Sequence, residues 1–176
     1  MSEDTKDNVI LETQRMILRL QQASDVDFLV KLWLDKEVGK YTGSAHEEDF
    51  LRAEFEKTAK NPRAEKYDLW IVQEKQTGEL LGHCGYIDKE VEGKIEYDIC
   101  YFISPEYWGK GYATEMAHAL KEYAFGELGL TRIIALINPE NVASAKVAQR
   151  IGMKLEKTIV RGESALRDMY AIEKAQ

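Results

Sequence analysis

Long hydrophobic runs are missing from this chain. No stretch approaches 18 apolar residues and no apolar segment follows the N-terminus, so neither a membrane span nor a signal peptide is expected. Cysteine is scarce: Cys84 and Cys100 are the two in 176 residues, too far apart for a Cys-x-x-Cys site. His46, His83 and His118 have no ligand spacing, and no metal is expected. Reduced thiols in a cytoplasmic protein are the plain reading. Positive charge is in deficit as well. The net charge is −7 and the pI near 5.1, whereas a nucleic-acid binder needs clustered Lys and Arg. That balance permits a cationic substrate without requiring one. Repeats, linkers and low-complexity tracts are absent too, which favours one domain over residues 1–176, with Met1 to Asn8 polar and frayed.

What is present suits a globular enzyme. Apolar residues make up 44% and aromatics 10%, and a chain of this length buries roughly 70% of its unfolded surface. Leu11 to Leu20 alternates as a strand. Ser24 offers an N-cap to a helix carrying Val26, Leu29, Val30, Trp33 and Leu34. A second helix runs from about His46 to Lys60, before Asn61-Pro62. Two strands around Gln76-Thr77-Gly78 read as a hairpin, and Ile95 to Ser104 follows as the next antiparallel strand. From Tyr112 the period becomes helical, with Ala113, Met116, Ala117, Leu120, Ala124 and Leu128 on one stripe before Gly129. An apolar run at 132–137, a short helix from Val142 to Ile151 and two last strands complete the pattern. It predicts an α/β (α+β) domain with a mixed, mostly antiparallel seven-stranded sheet and helices on both faces.

The segment Tyr107-Trp108-Gly109-Lys110-Gly111-Tyr112-Ala113-Thr114-Glu115 lies between a strand and a helix. Bare glycine backbone, orphan amides and the positive end of the helix dipole make an anion site suited to a pyrophosphate. A plain tight turn is the alternative. Walker A would need Ser or Thr after Gly-Lys, and Lys110 is followed by Gly111. The dinucleotide fingerprint would need a third small residue at Thr114 within an early strand–helix–strand unit.

This segment resembles the GNAT superfamily of N-acetyltransferases, whose Arg/Gln-x-x-Gly-x-Gly/Ala pattern binds the pyrophosphate of acetyl-coenzyme A. Here Trp108-Gly109-Lys110-Gly111-Tyr112-Ala113 departs from it at the first position. "PEYWGKGYATE", "LETQRMILRL" and "NPENVASAKVAQRIGMK" are similar to three motifs of the Rim-type ribosomal-protein acetyltransferase branch, with Met153 where that branch has Phe. The likeness runs from about Leu11 to Ile172. It implies acetyl-coenzyme A as cosubstrate, held by Ile103 backbone, residues 108–114, Asn141 and Ser144, and an amine acceptor near Tyr41. No nucleic acid or membrane partner is implied, and association into homodimers stays open. Asn141 could equally cap a helix, and Tyr41 could be a packed aromatic. Lys146 and Arg150 could meet the cofactor's 3′-phosphate or lie on a solvated face.

Acetyl transfer needs a neutral amine. At pH 7 an α-amine costs roughly 1 to 1.4 kcal/mol to deprotonate and a lysine about 4.6, so a base matters more for the second. On the strand entering the glycine turn, Glu96, Asp98, Cys100 and Phe102 share a face. Asp98 occupies the place of an acid common in the Rim-type branch and is the first candidate, Glu96 the second; both could instead be surface or paired acids. The tyrosine that many superfamily members use as general acid falls at Ala148 here, with Tyr170 and Ser144 as stand-ins. Cys84 lacks a positioned His, since His83 should point to the opposite face. Transfer to a primary amine, a protein N-terminal α-amine or else a polyamine or aminoglycoside, is the expectation. A non-catalytic acetyl-coenzyme A sensor is the rival from another class.

Overall fold

Alternation in the apolar segments is what builds the layers. In the computed structural model, which describes residues 8–42, 46–162 and 164–175, the strands are β1 (Val9–Glu12), β2 (Met16–Arg19), β3 (Leu69–Glu74), β4 (Leu80–Val91), β5 (Lys94–Ile103), β6 (Arg132–Ile137), β7 (Lys154–Arg161) and β8 (Ala165–Glu173). The helices are α1 (Val26–Leu34), α2 (Lys36–Gly39), α3 (Glu48–Lys60), α4 (Tyr112–Gly126) and α5 (Val142–Arg150). One sheet runs in the order β1-β2-β3-β4-β5-β6-β8-β7. Every neighbouring pair is antiparallel except β5 and β6.

Even and odd residues of a strand face opposite sides of the sheet. Leu18, Trp70, Val72, Tyr86, Ile99 and Ile103 pack on one side against Met116, Leu120 and Ala124 of α4 and Ala148 of α5. Ile71, from between Trp70 and Val72, packs on the other side with Leu29 of α1 and Leu51 and Phe55 of α3. A third, smaller cluster joins Val91, Ile134, Met169 and Ala171. Such burial, at about 25 cal/mol per Å² of apolar surface, is the main term holding the layers together. The Tyr86 phenol, fully buried among them, donates to the Leu120 carbonyl. Among the described residues no helix is long and apolar enough to cross a membrane.

The sheet has eight strands rather than seven because the expected opening strand is a hairpin. Its turn has no Gly, Pro, Asn or Asp to mark it. The Thr13 amide donates to the Met16 carbonyl at 2.9 Å, and the Met16 amide donates to the Thr13 hydroxyl at 2.9 Å. Ser24 does not cap α1 but lies inside a 3₁₀ turn, Ala23–Asp25. There the buried Asp25 accepts from the Gln22 amide at 2.7 Å and from both terminal nitrogens of Arg19 at 2.8 and 2.9 Å. Asn8 is already tied to the sheet, its carbonyl accepting from the Leu20 amide at 2.8 Å. The rest of the expected frayed start lies outside the described residues.

Candidate active site

β5 delivers the chain to the glycine turn through a 3₁₀ turn, Pro105–Tyr107. Gly109 and Gly111 both take left-handed conformations, φ 76° and 82°, which side chains other than glycine rarely adopt. Gly111 is the residue before α4, and no side chain caps that helix, so the first-turn amides around Tyr112, Ala113 and Thr114 have no side-chain acceptor. Gly109, Lys110 and Gly111 are exposed. Trp108 lies half out of the surface at 49% exposure, and its indole N–H donates to the Ile103 carbonyl at 2.6 Å. The strand end assigned to the cofactor arm is therefore already engaged at that oxygen.

A residue not singled out in the sequence braces this turn. Arg15, from the β1–β2 hairpin, donates its amide to Glu115 Oε1 at 2.9 Å and its Nε to Oε2 at 2.7 Å. Its Nη1 donates to the Lys110 carbonyl at 2.9 Å, and the guanidinium stacks 4.2 Å above the Tyr112 ring. Burial pulls the Glu115 carboxyl up, but hydrogen bonds from Thr13 and Arg15 together with the guanidinium charge hold it below its ordinary value. A positive charge thus stands beside the turn, where the family pattern has Arg or Gln in place of Trp108. Arg15→Gln is expected to weaken acetyl-coenzyme A binding about three- to tenfold, measured by titration calorimetry, since a half-exposed ion pair is modest and the loop's own amides remain.

The second half of the site is the seam between β5 and β6. Its ladder has one register pair, Asp98 opposite Ile134. The Leu136 amide, which a main-chain carbonyl of β5 would otherwise receive, donates to Asp98 Oδ1 at 3.0 Å. The two strands therefore share a single register pair, at the acid. Asp98 is buried, and desolvation raises its pKa to about 7, against smaller opposing pulls from the Leu136 amide and from Lys89, Arg161 and Arg167. A carboxyl raised that far toward neutral pH suits a general base.

Glu96 shares that face but is committed elsewhere. Arg132 Nε donates to both of its oxygens at 3.2 Å, and the same guanidinium meets Glu156 at 2.9 Å and Glu173 at 3.5 Å. Across the seam, the Tyr101 hydroxyl donates to the Ser144 carbonyl at 3.0 Å and accepts from Ser144 Oγ at 3.1 Å. Asn141 caps α5, its Oδ1 accepting from the Ser144 amide at 3.1 Å. Ala148 is fully buried, and Tyr170 is buried in the same core. Lys146 and Arg150 are exposed. Tyr101, on the opposite face of β5 from Asp98, is thus the phenol held at the start of α5.

Tyr41 follows α2, and the carbonyls of Tyr41 and Thr42 accept from Arg167 Nη2 of β8 at 3.3 and 3.2 Å. The two cysteines lie on opposite sides of the sheet, and burial pushes both thiols up. His83 faces α1, its Nδ1 accepting from the Trp33 indole at 3.2 Å. Burial lowers its pKa to about 4, so it stays neutral at pH 7 and on the far side from Cys84. Among the described residues no group of His, Cys, Asp and Glu could hold a metal.

β5 thus carries both the parallel pairing with β6 and the chain into the glycine turn at the start of α4. Residues 15–154 match the acetyltransferase (GNAT) domain family, and the chain belongs to it. It is an N-acetyltransferase of that family, with relatives so named. It is 34% identical over 166 residues to the uncharacterized N-acetyltransferase YnaD of Bacillus subtilis, covering 91% of this chain and 94% of the relative. Among solved structures, a GNAT-family acetyltransferase from Bacillus anthracis is 30% identical, with a TM-score of 0.77 over 93% of this chain and 97% of that one. RimL, a ribosomal alpha-N-protein acetyltransferase solved with coenzyme A, shares the fold at 19% identity and a TM-score of 0.75, over 94% of this chain and 97% of that one.

Proposed function

We propose that the protein moves the acetyl group of acetyl-coenzyme A to a primary amine, with a peptide α-amine as the acceptor. The observation that carries this reading is Asp98, a buried carboxyl with a pKa near 7 at the β5–β6 register pair, on the strand that leads into the glycine turn. The family's CoA-bound members support acetyl-coenzyme A as the donor. Its pyrophosphate would take the amides after Gly109 and Gly111, and its arm would follow the β5–β6 seam. Ile103, Asn141 and Ser144 border that path.

The chemistry balances with the groups at hand. Asp98 accepts a proton from the ammonium, directly or through water, and the freed nitrogen lone pair attacks the thioester carbonyl. The tetrahedral intermediate collapses, the C–S bond breaks, and coenzyme A leaves as a thiolate. With a thiol pKa near that of cysteine, about 8.5, it needs little help to leave and takes a proton from water. Tyr41, held by Arg167, lines the acceptor side.

Coenzyme A release, scored over N-terminal peptides, lysine peptides, polyamines and aminoglycosides, tests the reading. Transfer to peptide α-amines supports it. Protein that binds acetyl-coenzyme A yet acetylates no amine would sink it in favour of a sensor.

A further inference from the structure

The face of the sheet that carries Asp98 also carries three cations that no carboxylate among the described residues pairs with. Residues directly opposite each other on neighbouring strands share a face, and two-residue steps stay on it. Ile87 stands opposite Asp98 and Lys89 opposite Glu96, which puts Lys89 on the Asp98 face. Asp98 opposite Ile134 carries that face to β6, and Ile134 opposite Ala171 carries it to β8, where Met169 and Arg167 follow. Arg167 stands opposite Ile159 of β7, and the next residue on that side is Arg161. Val91, Ile134, Met169 and Ala171 make an apolar floor among them. A cleft of about 310 Å³ opens at the Arg161 end, between Glu90–Glu92 and Thr158–Arg161.

The partners of these cations leave their charge in place. Arg167 donates to the carbonyls of Tyr41, Thr42 and Leu166, and Arg161 donates to the Glu90 carbonyl at 3.2 Å. Among the described residues, none of Lys89, Arg161 and Arg167 has a carboxylate within ion-pair distance. Of the acids nearby, Glu96 pairs with Arg132 and Glu92 with Lys157, while Glu90, opposite Ile95, stands on the other face of β4. All three cations act on the Asp98 carboxyl. All three pull the acid in the same direction, although the whole chain is negative.

We propose that the acceptor carries an anionic group, a carboxylate or a phosphate type, a few bonds from its primary amine. Lys89, Arg161 and Arg167 receive the anion while Asp98 takes the amine. The inference rests on the acyl-transfer reading above and narrows its acceptor. A zwitterionic end fits both charges at once, and arginine forks match carboxylate and phosphate oxygens. A polyamine would set its second ammonium against three like charges, which selects against it.

Matched acceptors test this. One arm compares amidated Ala-Glu-Ala with amidated Ala-Gln-Ala, a second compares 2-aminoethylphosphonate with ethanolamine, and a third offers spermidine. The acidic member of a pair should exceed its neutral partner at least about tenfold in kcat/KM, mostly through KM. The advantage should shrink between about 50 and about 500 mM salt. Which pair shows the larger gap tells peptide from small molecule. Lys89→Gln, which removes no hydrogen bond of the fold, and Arg167→Gln should each narrow the gap to under about threefold. Equal rates for acidic and neutral partners, preference for spermidine, or a gap intact in both variants overturns the inference alone. Absence of transfer in every arm, by protein that binds acetyl-coenzyme A, overturns the transferase reading together with it.

Discussion

Gly111→Val is expected to weaken acetyl-coenzyme A binding by well over tenfold, more than about 1.4 kcal/mol. The reason is mainly backbone. Gly111 has φ 82° and ψ 1°, and a β-branched residue there costs about 1–2 kcal/mol or more, so the turn should abandon that conformation. A new Cβ would lie 3.4 Å from Arg15 Nη2, an ordinary contact, so the protein itself does not forbid the residue. What is lost is the aim of the first-turn amides of α4 and the space a pyrophosphate needs above them. Calorimetry with acetyl-coenzyme A reads the loss, and a thermal melt reports whether the fold survives. Near-normal affinity in a folded variant would place the cofactor elsewhere.

Asp98→Asn is expected to keep cofactor affinity within about twofold while kcat/KM falls roughly 10²–10⁴ at neutral pH. The amide matches the carboxylate in shape and can still receive the Leu136 amide through its oxygen. With the Asp98 pKa near 7, wild-type kcat/KM should fall as pH drops through that value, because the protonated carboxyl can no longer act as base. The variant's deficit should shrink as pH rises toward the amine pKa, where free amine no longer needs one. Stability should move in the opposite sense. An acid raised from an unfolded value of about 3.9 to about 7 supports the fold fully below the lower value and loses that support as pH rises through the higher. The Asn variant should therefore lose less stability than wild type between pH 4 and 8, read by urea denaturation. A rise in KM with kcat near normal and no pH rescue would make Asp98 an orienting group. Wild-type kinetics from pH 6 to 9 would remove it from the site and move attention to Glu96.

The parts of the site legible in the sequence are those whose signal is local. Two glycines four residues or fewer from a helix start, and a strand that alternates into them, are read within one stretch of chain. Asp98 and Glu96 were equal on alternation. What separates them is Arg132, 36 residues away, which engages one and not the other. Arg15 acts on Glu115 across 100 residues, and nothing in its neighbourhood foretold that. The Trp108 indole on Ile103 was hidden for a different reason, because a side chain curling back on its own strand end has no periodic signature. The extra strand escaped because Thr13 makes its turn with a hydroxyl rather than with glycine or proline.

The placement of β8 fixes an order of events during synthesis. β8 lies between β6 and β7 and pairs with both, so it is the last strand made and yet an inner one. Until it emerges from the ribosome, β7 has no partner strand and the outer edge of β6 stays open, a template for stray pairing. Inserting it closes contacts to strands made earlier and brings Arg167 to the carbonyls of Tyr41 and Thr42, 126 and 125 residues upstream. Loop closure over such a span is slow. The cofactor turn, complete by Glu115, can therefore assemble on a nascent chain that has as yet no acceptor floor.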